Sequence, residues 1–137
     1  MSPAGVFTWP VRVYWEDTDA GGIVFYANYL KFFERARTEW LRSIGVAQST
    51  LKAEGGGMFV VSETSVRYLA PARLDDELLV TARLEAGGRA SLIIAQEARR
   101  GDTSLAVGTI RIGWVDAATL RPGRIPGAIL ELLQAKA

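Results

Sequence analysis

From Ala27 to Gly45 the residues Tyr29, Leu30, Phe32, Phe33, Ala36, Trp40, Leu41 and Ile44 fall in about a half-turn arc at helical periodicity. Lys31, Arg35, Thr38 and Arg42 take the opposite side. A helix of this length runs roughly 28 Å, and an apolar face that wide needs a sheet to cover it. Asn28 sits where a cap-region residue belongs, and Gly45 is a natural stop. Arg37 is the outlier, because it falls inside the apolar arc. A buried Arg calls for a carboxylate. Its plain reading is a structural ion pair, with Glu63 as the candidate partner; a substrate contact is the alternative.

The rest of the chain supplies strands. From Phe7 to Glu16, Val11, Val13 and Trp15 alternate with Arg12, Tyr14 and Glu16, the period of a half-buried strand. Pro10 suits its beginning or a sheet edge. After the helix, the stretch from Val46 to Gly57 ends in three glycines and reads as an irregular or helical joint. No Gly-Lys-Ser/Thr follows, so it is not a phosphate loop.

Four strands come next, from Met58 to Leu69, Asp76 to Glu85, Ala90 to Arg99 and Ser104 to Val115. Met58-Phe59-Val60-Val61 is apolar on both faces and implies cover on both. Leu78, Val80, Ala82 and Leu84 share one face of the second strand, and Ala106, Gly108, Ile110, Ile112 and Trp114 one face of the last. Gly87-Gly88 and Gly101-Asp102 mark turns, and such short links favour antiparallel pairing. Strand, long helix, then four strands is an α+β order. A short helix from Ala128 to Leu133 is expected in the tail.

Composition excludes several chemistries. The 137 residues are 49% hydrophobic, which fits one domain with a real core. We expect residues 1–137 to form it, with a core of about 7–116 and a C-terminal tail of 117–137. A net charge of +1 offers no broad attraction to nucleic acid. The chain has no cysteine and no histidine. That excludes disulfides, thiolate metal sites, and Ser-His-Asp or Cys-His nucleophiles. No signal peptide or membrane span is legible, and a cytoplasmic protein is expected.

What remains is carboxylate chemistry, and one stretch concentrates it. Glu16-Asp17-Thr18-Asp19-Ala20-Gly21-Gly22-Ile23-Val24-Phe25 places acids and a glycine pair between the first strand and the helix start. Gly21 and Gly22 permit positive φ or close approach to a ligand, and Ile23-Val24-Phe25 is expected to plug into the core. Backbone N–H groups at a helix start are unpaired and partly positive. Such an acid beside such donors suits attack on a carbonyl whose oxygen becomes negative.

Arg12-Val13-Tyr14, Glu16 to Val24, Tyr29 and Glu34-Arg35-Ala36-Arg37-Thr38-Glu39 together resemble the 4-hydroxybenzoyl-CoA thioesterase family of hotdog proteins. The opening Trp9 to Tyr14 and the block Tyr68-Leu69-Ala70-Pro71-Ala72-Arg73-Leu74-Asp75-Asp76 look most like its Tol–Pal-associated acyl-CoA thioesterase branch. The likeness spans about residues 7 to 116. It implies a hotdog fold: a five-stranded antiparallel sheet wrapped around one long central helix, in the order β-α-β-β-β-β. It also implies acyl-CoA hydrolysis without a metal or other cofactor, dimers with active sites at the subunit interface, and often a tetramer.

The family's catalytic aspartate maps onto Asp19, and its carbonyl-polarising amide onto the helix start near Tyr26. Gly21, Gly22 and Ile23 are then expected against the substrate. The Tol–Pal branch usually has histidine where this chain has Tyr26; Phe25-Tyr26-Ala27-Asn28-Tyr29 is closer to the 4-hydroxybenzoyl branch. Asp17 reads as a turn or capping acid. Arg73, Arg89, Arg99 and Arg100 are candidates for the CoA phosphates, although the plain reading of each is a solvated surface Arg. The competing reading is a non-catalytic binding module for acyl-CoA or acyl carrier protein, associated with envelope lipid metabolism. A hotdog dehydratase, which relies on histidine, fits poorly.

Overall fold

In the computed structural model, residues 6–47, 49, 51 and 56–136 are described. Strand β1 is Phe7–Arg12, and a 3-10 turn follows at Trp15–Asp17. Helix α1 is Asn28–Ser43. Then come β2 Gly57–Tyr68, β3 Glu77–Gly87, β4 Ser91–Arg100 and β5 Thr103–Asp116. A second helix, α2, is Gly127–Lys136. The strands form one antiparallel sheet in the order β1-β3-β4-β5-β2.

The sheet's inner face meets α1 as the periodicities demand. Leu78, Val80 and Ala82 of β3, Leu92, Ile94 and Ala98 of β4, and Ala106, Ile110 and Ile112 of β5 are buried. Phe32, Phe33, Ala36, Trp40 and Leu41 of α1 close the other side. Burial of each large side chain contributes about 1.5–3 kcal/mol before chain entropy is subtracted. Gly108 makes the close approach possible: a Cβ there would lie 3.0 Å from the Ser65 carbonyl oxygen and 3.1 Å from the Phe33 ring. Gly45 ends the helix with φ +94°, and Val46 N–H returns to the Leu41 carbonyl at 2.8 Å, a left-handed terminus.

Several expectations change. Trp15 does not continue the first strand inward; it sits in the 3-10 turn, 79% exposed. The strand stops because the Asp17 carboxylate takes the Tyr14 N–H at 2.8 Å, curling the chain. Leu30 lies at the border of the apolar arc and is exposed. Asn28 does not cap the helix; the N-cap position is Ala27, with no side-chain cap. Of Ile23-Val24-Phe25, only Val24 is buried.

Arg37 is held by an amide rather than a carboxylate. Its Nη1 donates to Gln96 Oε1 at 2.9 Å, and Gln96 Nε2 donates to the carbonyls of Phe33 and Thr81. Glu63 is on the edge strand β2 and exposed, whereas Gln96 is on β4, against which α1 packs. Burial lowers the pKa of Arg37, and nearby Glu34 opposes that shift. Met58 and Val60 are half-buried and Phe59 is buried, but Val61 is 51% exposed, so this chain alone does not cover both faces of β2.

The expected joint of 46–57 falls partly outside the described residues. The tail is folded onto the sheet: Ile125, Ile129 and Leu133 join the core, and Ile125 N–H donates to the Arg89 carbonyl.

The β2–β3 connection is a compact clamp. Asp76 Oδ2 accepts from the Arg73 N–H at 2.8 Å and from Arg100 Nη1 at 2.8 Å. Arg100 also donates to the Pro71 carbonyl. Burial alone would raise the pKa of the Asp76 carboxyl, but the Arg73 N–H and the Arg100 guanidinium outweigh it and hold the pKa below its ordinary value.

Gly108→Val should cost about 1–3 kcal/mol by overpacking, read as a lower midpoint in denaturant with an unchanged slope. Because the folded-state pKa of Asp76 is depressed, its contribution is present above the unfolded carboxylate pKa and is lost as pH falls through the folded value. The melting temperature should therefore drop between about pH 5 and about pH 2, and Asp76→Asn should flatten that drop. The flattening should be partial, since the pKa of Asp116 is lowered as well by the Thr119 and Ala118 N–H groups.

Candidate active site

The acidic stretch folds into a narrow hairpin. Thr18 and Val24 bridge across it, and Ile23 bridges to Arg73 of the clamp. Asp19 N–H donates to the Ile23 carbonyl at 2.9 Å, and Gly22 N–H donates back to the Asp19 carbonyl at 3.0 Å. Gly22 has φ +78°, which few residues besides glycine adopt without strain. Gly21 N–H donates to Asp19 Oδ1 at 2.8 Å, and a Cβ on Gly21 would lie 3.2 Å from that same oxygen. The glycine pair thus closes the turn and fixes an exposed carboxylate at its tip.

The hairpin is anchored to the helix start. Phe25 N–H donates to the Asp17 carbonyl at 3.0 Å, and Asn28 N–H to the Phe25 carbonyl at 2.8 Å. Val24 N–H donates to the Ala72 carbonyl at 2.9 Å. Among the described residues, no hydrogen bond takes up the N–H of Tyr26 or Ala27. These are the open donors expected at a helix N-terminus, with its partial positive charge.

Beside them is a cavity of about 340 Å³ lined by Ile23, Val24, Tyr26, Tyr29, Tyr68 and neighbouring loop residues. Its rings touch in series. Tyr26 meets Tyr68 edge-on at 6.1 Å, and Tyr68 lies 5.6 Å from Tyr29. The Tyr29 hydroxyl accepts from the Ala72 N–H at 3.1 Å. Burial raises the phenol pKa of Tyr29 despite that bond, and burial followed by the nearby Tyr26 raises that of Tyr68. Both walls therefore stay neutral near pH 7.

The structure thus gathers Asp19, Gly21, Gly22, Ile23, Tyr26 and the backbone of Arg73 in one corner. The Arg73 guanidinium is exposed, with no hydrogen bond or ion pair among the described residues. Arg89 lies in the β3–β4 turn, at the opposite end of those strands, and does not join this corner within one chain. Arg99 is at the end of β4 near Asp102, 3.9 Å away. Arg100 is occupied by the clamp. A larger trough of about 700 Å³ runs over the outer face of the sheet past Arg67, Arg83 and Arg99, and no hairpin residue lines it. Sequence reasoning missed Tyr29 and Tyr68 as cavity walls. Tyr29 stood out as a residue of the apolar helix face and of the family resemblance, and Tyr68 only as part of the Tyr68–Asp76 block, neither as a cavity wall.

Among the described residues, no cluster of acids fit for a metal ion occurs, and no helix is long and apolar enough to cross a membrane.

The family profile described as the thioesterase superfamily matches residues 21–107. Acyl-CoA thioesterase YbgC of Haemophilus influenzae is 42% identical over 120 residues, covering 88% of each chain. Acyl-CoA thioester hydrolase YbgC of Escherichia coli is 42% identical over 126 residues, covering 91% of this chain and 93% of the relative. A crystal structure of a probable thioesterase from Bartonella henselae superposes with a TM-score of 0.85 at 31% identity, covering 88% of this chain and 99% of that one. An asparagine-for-aspartate variant of 4-hydroxybenzoyl-CoA thioesterase, complexed with 4-hydroxybenzoyl-CoA, shares the fold with a TM-score of 0.87 at 21% identity, covering 95% of this chain and 99% of that one. With the hotdog architecture, a profile match over residues 21–107 and relatives similar along most of their length, this chain belongs to the thioesterase superfamily.

Proposed function

We propose that the chain hydrolyses an acyl-CoA thioester where the Asp19 hairpin meets the start of α1. The observation that carries this reading is the pairing of an exposed, turn-fixed carboxylate with open helix-start N–H groups beside an apolar, tyrosine-walled cavity. The names of the Haemophilus and Escherichia relatives supply the substrate class.

Asp19 Oδ1 accepts the Gly21 N–H, while Oδ2 is unengaged among the described residues. The carboxylate acts in one of two ways. As a nucleophile it attacks the thioester carbon, the C–S bond breaks, CoA leaves as thiolate, and water hydrolyses the anhydride. As a general base it takes a proton from the water that attacks the same carbon. On either route the oxygen becomes negative in the transition state, and the Tyr26 N–H is its donor. The acyl group enters the cavity between Ile23 and the Tyr26, Tyr29 and Tyr68 rings. Gly21 and Gly22 leave room for the thioester, and Arg73 offers its exposed guanidinium to a CoA phosphate.

The working unit is a dimer with each site at the subunit interface. Two features support this. Strand β2 ends the sheet with Val61 to Ser65 exposed, an unpaired edge that invites pairing with another strand. The rings of Phe25, Tyr26 and Tyr68 and the side chain of Leu69 also remain open around the cavity mouth. Arg89 reaches a substrate only if it comes from the second copy.

Asp19→Asn should lower kcat by about 10²–10⁴-fold with an unchanged melting temperature, assayed by CoA release across short-chain, long-chain and aromatic acyl-CoAs. Parent rates in that variant would remove the site. Binding by calorimetry with no turnover of any acyl-CoA by the unmodified chain would favour a binding module instead. Val61→Arg should shift the mass seen by light scattering toward the monomer and reduce activity with it; an active monomer would contradict the shared site.

A further inference from the structure

Two buried polar residues lie beside the proposed site without lining its cavity. Asp17 is 3% exposed and Asn28 is 7% exposed. Asn28 Nδ2 donates to Asp17 Oδ1 at 2.6 Å, and Tyr14 N–H donates to Asp17 Oδ2 at 2.8 Å. The Asp17 carbonyl accepts the Phe25 N–H. No Lys or Arg pairs with this carboxylate among the described residues. A buried carboxylate without a cation is costly unless each oxygen is well satisfied. Here the satisfaction comes from short, charge-assisted bonds at a helix start that favours negative charge.

Position gives these bonds their significance. Asp17 lies two residues before Asp19, and Asn28 lies one and two residues after Ala27 and Tyr26, whose N–H groups are open. The Asp17–Asn28 bond therefore joins the segment that carries the acid to the segment that carries the oxyanion donors. The hairpin between them is held at its neck by the Thr18–Val24 bridge. Backbone bonds such as Phe25 N–H to the Asp17 carbonyl also link the two segments, and the Asp17–Asn28 bond is the side-chain tie that joins the acid's segment directly to the first residue of the helix.

We propose that Asp17 and Asn28 are a positioning pair for the reaction, setting the separation of the Asp19 carboxylate from the Tyr26 and Ala27 N–H groups. This rests on the thioesterase reading of that corner. Neither residue touches the reacting atoms; both act through the geometry of those that do. A misplacement of about 1 Å at such a centre can cost about 10²-fold in rate, so the pair's signature is in kcat rather than in substrate affinity.

The test compares Asn28→Ala, Asn28→Asp, Asp17→Asn and the double variant Asp17→Asn/Asn28→Asp, with Asp19→Asn as reference. Each is assayed for kcat, KM and melting temperature on benzoyl-CoA or octanoyl-CoA, whichever the unmodified chain turns over faster. Asn28→Ala, which strands one carboxylate oxygen, should lose at least about 10-fold in kcat with KM little changed. Asn28→Asp, which sets two carboxylates in one buried site, should lose about 10²-fold or more. Asp17→Asn alone should be the mildest, because an inverted Asn28 amide can still accept from it.

The double variant restores one carboxylate and one amide with reversed polarity, and the amide then at position 17 keeps an oxygen for the Tyr14 N–H. It should regain kcat to within about tenfold of the parent. Parent kcat in a folded Asn28→Ala, or a double variant that recovers melting temperature but not kcat, would overturn the positioning role. Parent rates in Asp19→Asn would remove the catalytic reading, and the pair's role with it. Loss in Asp19→Asn beside full rate in Asn28→Ala would overturn the pair alone.

Discussion

Everything in this fold depends on burying one face of α1. Phe32, Phe33, Ala36, Trp40 and Leu41 cannot be satisfied by a neighbouring helix here, because only the sheet is broad enough to cover them. The sheet meets that demand with a mixture of sizes. Ala82 and Ala98 are small on β3 and β4, against which α1 packs, Gly108 leaves room for the Phe33 ring, and Leu78, Ile94 and Ile110 fill the rest. Once the helix is fixed in that cradle, its N-terminus is fixed too. The position of the open N–H groups is thus a by-product of hydrophobic packing some distance from any chemistry.

The same site shows how a chain without histidine or cysteine can dispose of charge. Two carboxylates lie two residues apart and have opposite environments. Asp17 is buried, satisfied by an amide and a backbone N–H, and unavailable. Asp19 is exposed and held on one oxygen only. Tyr29 and Tyr68, whose phenol pKa values burial raises, add no competing charge at neutral pH. In the proposed reaction the chemistry falls to the one unengaged Asp19 oxygen and the open N–H groups at the helix start.

Much of this was legible in the sequence, for identifiable reasons. The helix announced itself because its apolar residues keep one phase from Tyr29 to Ile44. Strands β3 and β5 did so because Leu78-Val80-Ala82 and Ile110-Ile112-Trp114 alternate without a break. The glycine pair and the acids marked the hairpin. Three of the misreadings share a cause: each turned on a side-chain hydrogen bond that periodicity does not reveal. Arg37 found Gln96, 59 residues away, where reasoning by charge alone expected a carboxylate. Trp15 kept the strand's phase yet left it, because a bond from the Tyr14 N–H to the Asp17 side chain overrode alternation. Asn28 had the chemistry of a cap and the location of one, but its amide was taken by a buried acid 11 residues earlier.

The strand order carries a kinetic consequence. β3, β4 and β5 are joined by tight turns, so their pairings close short loops and form early. β1 reaches β3 across a long gap, as the Arg12–Glu77 pair shows with its separation of 65 residues. β2 closes onto β5 from the other side of the helix. The hairpin carrying Asp19 touches the late-arriving parts: the end of β1, the helix start and the clamp after β2. The corner around Asp19 is therefore expected to assemble last, and a refolding chain would hold a finished meander before it held the proposed site.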